Sequence, residues 1–123
     1  MTSDKTYTVD EANALLPYLA PTLVELREKY EAGERIRGMV AQAAATNGGS
    51  PDRDRWSRTM ARVAELLERI EEWGVLLRDV STGLVDFPTT VDGVDGWLCW
   101  RLGEPEVGYW HPGDEGFAGR RPL

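Results

Sequence analysis

Apolar residues recur at Ala12, Leu15, Leu16, Leu19, Leu23, Leu26, Tyr30, Ile36, Val40 and Ala43. The spacings are mostly three and four, as one buried helical stripe requires. The stripe opens behind Thr8-Val9-Asp10-Glu11, which reads as a capping box: the Thr8 hydroxyl accepts from the Glu11 amide and the Glu11 carboxylate accepts from the Thr8 amide. A helix is therefore predicted from about Val9. Pro17 falls inside it, and a proline clashes with the carbonyl four residues back and disfavours helical torsions at the residue before it. The expectation is a short first helix or a kink near Pro17, then a long segment to about Ala45, with Pro21 as a second possible start.

Asn47-Gly48-Gly49-Ser50-Pro51 breaks the pattern and restarts it, with Ser50 as N-cap, Pro51 at the first helical position and Asp52 and Asp54 in the first turn. The second stripe runs Trp56, Met60, Val63, Leu67, Ile70, Trp73, close to the 3.5-residue repeat of helices packed nearly antiparallel. At about 1.5 Å per residue the first segment would rise ~55 Å and the second ~34 Å, so the first overhangs its partner and is free to cover something else.

Beyond Gly74 the period moves toward two and turn residues become frequent. Short strands are predicted at Val75 to Asp79, Leu84 to Pro88, Trp97 to Leu102 and Val107 to His111, with Asp92 to Gly96 and Gly103 to Glu106 as loops and the tail after Pro112 without regular structure. The class is α+β: a long antiparallel helical hairpin (8–73), an antiparallel sheet of about four strands (74–111) and a loop tail (112–123), together one domain.

The chain has 123 residues, 41% hydrophobic and 28% charged, enough apolar content to fold. Acids outnumber bases 21 to 14, for a net charge of -7. That field repels phosphate backbones, so nucleic-acid binding is not expected, although Arg53, Arg55, Arg58 and Arg62 put local positive charge on more than one face of the second helix. Cys99 is the only cysteine, which excludes an internal disulfide and multi-cysteine zinc sites. Met1 to Lys5 has no apolar run and the longest one, Trp97 to Trp100, is far short of the ~20 residues of a membrane span. The expected location is the cytoplasm.

Pairing across the Gly103–Glu106 loop predicts Leu102 opposite Val107, Trp100 opposite Tyr109 and Leu98 opposite His111, all on the core face. Trp97, Cys99, Arg101 and Trp110 would then lie on the other face. His111, the only histidine, reads either as a hydrogen-bonded residue at the sheet margin or as a base or metal ligand. A two-residue Thr82-Gly83 turn would set Asp79 against Asp86; a three-residue loop with left-handed Gly83 would instead let Arg78 face Asp86 as an ion pair.

Two functional readings follow. The first is a non-enzymatic interaction module, the hairpin forming a homodimer or docking a partner protein, with Trp56, Trp73, Trp97 and Trp110 as contact residues. The alternative is a metal or small-anion site on the strand half. There Asp86, Glu104 and His111 are ligands for a divalent metal, the one cofactor considered, and Arg120 is the anion clamp. No H-x-x-x-H or C-x-x-C spacing supports it, and no nucleophile with an evident base appears, which tips the reading away from an enzyme.

The strings Glu11-Ala12-Asn13-Ala14-Leu15-Leu16-Pro17, Gly83-Leu84-Val85-Asp86-Phe87-Pro88, Leu98-Cys99-Trp100-Arg101-Leu102-Gly103-Glu104, Trp110-His111 and Gly116-Phe117-Ala118-Gly119-Arg120 resemble a bacterial family, domain of unknown function 2203. The likeness spans nearly the whole chain. It implies a small stand-alone prokaryotic cytoplasmic protein and no particular activity. The matching motif positions include Asp86, Cys99, Glu104, Trp110, His111 and Arg120. Val94-Asp95 and Pro112-Gly113 depart from the family's pattern.

Overall fold

The computed structural model describes residues 5–46, 51–113 and 115–123. The expected Ser50 cap, the breaker at 47–49 and the Ala43 side chain lie outside the described residues.

The capping box forms as expected: the Thr8 amide donates to Glu11 Oε1 at 2.9 Å and the Glu11 amide to Thr8 Oγ1 at 3.1 Å. The Thr8 amide first, and then the Thr8 side chain, hold the Glu11 carboxyl below its ordinary range. Helix α1 then runs from Val9 to Thr46 without dividing, with Pro17 and Pro21 inside it, so no separate short helix exists. An interior proline costs about 3 kcal/mol. Ala12, Leu19, Leu23 and Leu26, on both sides of the prolines, are buried in one core, and each buried leucine returns about 1.5–3 kcal/mol. Packing outweighs local propensity here, and both proline rings sit on the exposed side.

Helix α2 spans Pro51–Glu72. Its buried positions are Val63, Leu66 and Ile70, whereas Leu67 is 40% exposed, so the core stripe passes through the neighbouring leucine. Tyr30 also falls outside its expected stripe and is exposed. The helices approach closely at the buried Gly33, where a Cβ would lie 2.9 Å from Met60 Sδ. Arg62 clamps them with a two-pronged bond to Glu25, Nε to Oε2 at 2.7 Å and Nη2 to Oε1 at 2.8 Å, the fork geometry that arginine suits.

Five antiparallel strands follow in sequential order: β1 Leu76–Asp79, β2 Leu84–Val91, β3 Val94–Arg101, β4 Tyr109–Pro112 and β5 Arg121–Pro122. The fifth strand and a 3-10 turn, Phe117–Gly119, correct the expectation of a loop tail. β2 and β3 are longer than expected, because Asp92 and Gly93, both at positive φ (51° and 80°), make a two-residue turn that pairs Val91 with Val94. Between β1 and β2, Gly83 takes φ 66°. Asp79 lies opposite Leu84 and Leu76 opposite Asp86, with a bulge at Arg78. Arg78, not Asp79, meets Asp86.

The largest correction concerns β3 and β4. Trp97 pairs with His111, Leu98 with Trp110 and Cys99 with Tyr109, one residue away from the expected register. The segment after Arg101 does not turn back tightly, and the Val107 amide donates to Asn13 Oδ1 of α1 at 2.7 Å instead of to β3. Side chains alternate across a sheet, so this slip exchanges the faces of β4. Trp110 goes to the helix side and His111 to the outer side.

Val85, Phe87, Leu98 and Trp100 form the inner face and share one cluster with Leu19, Leu23, Leu26, Val63, Leu66 and Ile70. Tyr7 joins the parts. Its amide donates to Pro88 O at 2.7 Å, its carbonyl accepts from Thr89 Oγ1 at 2.7 Å, its hydroxyl donates to the Trp73 carbonyl, and its ring meets Phe87 edge-on at 5.1 Å.

Candidate functional site

On the outer face of the sheet, Asp86 of β2, Cys99 of β3 and His111 of β4 stand on adjacent strands. Asp86 is paired with Cys99, and His111 lies one step along, opposite Trp97. All three are buried, Asp86 at 2% and His111 at 0% exposure. Each offers one donor atom, and these atoms lie within 4.8 Å of one another. Asp86 Oδ2 accepts from Arg78 Nε at 2.7 Å and from His111 Nε2 at 3.1 Å. Asp86 Oδ1 and His111 Nδ1 are buried with no hydrogen-bond partner among the described residues, an omission that costs about 1–3 kcal/mol per group in a fold with no use for them.

Burial pushes the Cys99 thiol up to about 12, the nearby Asp86 carboxylate adds to the rise, and Arg120 opposes it. The residue types are those of a cysteine-histidine-aspartate triad, but a thiol held this firmly in its protonated form is no nucleophile near neutral pH.

The tail roofs this face. Trp97 Nε1 donates to the Gly113 carbonyl at 2.7 Å, and the Leu123 amide donates to the Gly108 carbonyl at 3.0 Å. Under the roof a cavity of about 270 Å³ is lined by Arg78, Leu84, Asp86, Trp97, Gly113, Gly116 and Phe117. Asp86 belongs both to the cavity wall and to the buried cluster.

Of the four ligand residues expected from sequence, Asp86 and His111 come together in this cluster. Glu104 and Arg120 come together separately. Arg120 Nη2 donates to both Glu104 oxygens, at 2.9 and 2.8 Å, and Glu104 Oε1 also accepts from the Arg101 amide at 2.7 Å. The Glu104 carboxylate is thus engaged within the fold, and the Arg120 cation already has its anion. The guanidinium also lies 3.9 Å from the Tyr109 ring centroid and 4.7 Å from that of Phe117. This pair fastens the tail to the β3–β4 connection beside the cluster. The third donor is Cys99, which the expected register put on the face opposite His111. The signal that finds it is β2–β3 pairing through a two-residue Asp92-Gly93 turn, which sets Cys99 directly against Asp86.

The four indoles expected at a contact surface are all half-buried. Trp73 and Trp110 pack against the core, Trp97 walls the outer cavity, and Trp56 borders a separate groove with Arg37, Val40, Arg53 and Ser57. Of the arginines near the start of α2, Arg62 is paired with Glu25 and Glu65. No helix among the described residues is long and apolar enough to cross a membrane.

A family model described as "Uncharacterized conserved protein (DUF2203)" matches residues 5–123. The chain belongs to this family. No curated protein and no solved structure matches it. The match takes in α1, α2 and every strand of the sheet, so the buried trio and the Glu104–Arg120 fastening both lie within the DUF2203 unit.

In this DUF2203 chain the fastening predicts controlled access to the thiol. Glu104→Gln removes the charge opposite Arg120 while keeping the side chain's shape. Native-state labelling of Cys99 with a chromogenic disulfide reagent is expected to run at least ~10-fold faster than in the unaltered protein, because opening the tail exposes a buried group. An unchanged rate would show that the tail does not gate Cys99.

Proposed function

We propose that this protein binds a divalent transition-metal ion through Asp86, Cys99 and His111. The observation that carries the reading is the convergence of three buried donors of different chemistry within 4.8 Å, two of them with an atom that has no partner among the described residues. Thiolate and imidazole select zinc, iron or cobalt over magnesium and calcium, which prefer all-oxygen sites. A tetrahedral ion with bonds of about 2.0–2.3 Å holds its ligands about 3.3–3.8 Å apart. The 3.1 Å His111 Nε2–Asp86 Oδ2 hydrogen bond must then give way to the metal, because a ring nitrogen ligates only without its proton. Three protein ligands leave the fourth position open, as in sites that bind a further molecule, and Asp86 borders the cavity that would supply it. Self-association draws less support, since the indoles it relied on are half-buried.

The test is a cobalt titration of protein prepared free of metal, with elemental analysis of the zinc-loaded form. One equivalent per chain, with the visible bands of a tetrahedral ion and sulfur-to-cobalt charge-transfer absorption, is expected. Stoichiometry near zero at a tenfold excess of metal would overturn the reading.

A further inference from the structure

Resting on that metal reading, we infer that the outer cavity takes a small organic carboxylate with an apolar body, its carboxylate shared between the open metal position and the Arg78 guanidinium. Arg78 Nε is committed to Asp86, while its Nη1 and Nη2 donate to no described residue. The side chain is 39% exposed and lines the cavity. Its guanidinium lies 5.2 Å from the Trp97 ring centroid, a contact that holds a planar fork in place.

Charge decides the sign of the ligand. A divalent ion with the Asp86 carboxylate and Cys99 thiolate is neutral, and Arg78 leaves the cavity at plus one. One monoanion restores neutrality, whereas a phosphate dianion would place excess negative charge in a chain that already carries -7. A carboxylate also matches in geometry the two guanidinium nitrogens that donate to no described residue.

The walls decide the rest of the ligand. Leu84, Trp97 and Phe117 are apolar, and Phe117 is 45% exposed, a large hydrophobic group with room for an occupant. Gly113 and Gly116 line the rim at φ 46° and 70°, so the tail approaches there without side chains that would fill the space. At about 270 Å³ the cavity lies just below the usual span of small-molecule sites, about 300 to 1,000 Å³, so its occupant is small. Benzoate is therefore a fitting probe.

Calorimetry on zinc-loaded protein is expected to show benzoate binding, acetate binding at least ~10-fold more weakly, and benzyl alcohol not at all. Arg78→Met is expected to weaken benzoate at least ~10-fold while keeping one zinc per chain. Phe117→Ala, which does not touch Asp86, is expected to weaken benzoate but not acetate, and it keeps the test open should Arg78→Met disturb the ligands. Zinc bound at one equivalent with no benzoate heat overturns this inference alone, as does equal affinity for benzoate and benzyl alcohol. Absence of zinc overturns the metal reading and this inference with it.

Discussion

Cys99→Ser is expected to abolish the sulfur-to-cobalt charge-transfer absorption and to weaken zinc binding by at least ~100-fold, because the one soft ligand of the site is replaced by a hydroxyl that stays protonated. A second readout separates a ligand from a merely structural thiol. In the metal-free protein the Cys99 thiol sits at about 12, so at neutral pH a metal ion must displace its proton. Apparent zinc affinity then rises about tenfold per pH unit from this group alone, at any pH below about 12. In Cys99→Ser that increment disappears, and the slope of log affinity against pH falls by one. The same thiol sets a limit on the metal-free fold. Its folded value lies above the ordinary 9.0, so the folded state retains a proton that the unfolded chain has lost. This thiol's contribution to stability is full below pH 9.0 and is lost at about 1.4 kcal/mol per unit between there and about 12. Urea denaturation across that range should show the decline in the unaltered protein and less of it in Cys99→Ser. A serine variant with unchanged zinc affinity and pH slope would remove Cys99 from the site.

The site was only half legible in the sequence, and the reason is register. The helices announce themselves through the capping box at Thr8 and the three-and-four spacing of their leucines, and both form where that pattern puts them. Local rules mislead where tertiary contacts decide. Pro17 and Pro21 argue for a break, but the core on both sides of them holds α1 together. Leu66 and Leu67 are chemically identical neighbours, and only the packed partner selects Leu66. The face of His111 depends on where β4 begins to pair. That point is set by the Val107–Asn13 bond to a residue 94 positions away and by Arg121-Pro122, a strand too short to carry a pattern. Asp86 and Arg78 were legible because the Ser81-Thr82-Gly83 loop and its left-handed glycine fix their relation locally. The pairing of Glu104 with Arg120 beside the cluster was not legible, because the Arg101 amide and Arg120 belong to a turn and to a tail whose path the sequence pattern does not encode.

Adjacent residues of β2 separate the two jobs of the sheet. Phe87 points inward at 0% exposure against Tyr7, and Phe87→Ala is expected to cost about 3–5 kcal/mol of stability through lost burial and the cavity left behind. Folded Phe87→Ala protein should still hold one zinc per chain, since the outer face does not use that ring. Asp86→Asn is expected to do the reverse. The amide keeps the shape and an acceptor for Arg78 and His111, and the exposed part of Arg78 can turn to water, so the stability loss should stay near 1–3 kcal/mol. Zinc affinity should fall by at least ~100-fold, because the anionic ligand is gone. Urea denaturation of both metal-free variants, set beside their zinc stoichiometries, reads the two effects independently. Wild-type zinc affinity in Asp86→Asn would mean that the carboxylate serves only to hold the strands together, and zinc lost from a folded Phe87→Ala would mean that the faces are not separable. The opposite pattern follows from alternation alone: one peptide step along β2 carries the chain from a packed interior to the chamber beneath the tail.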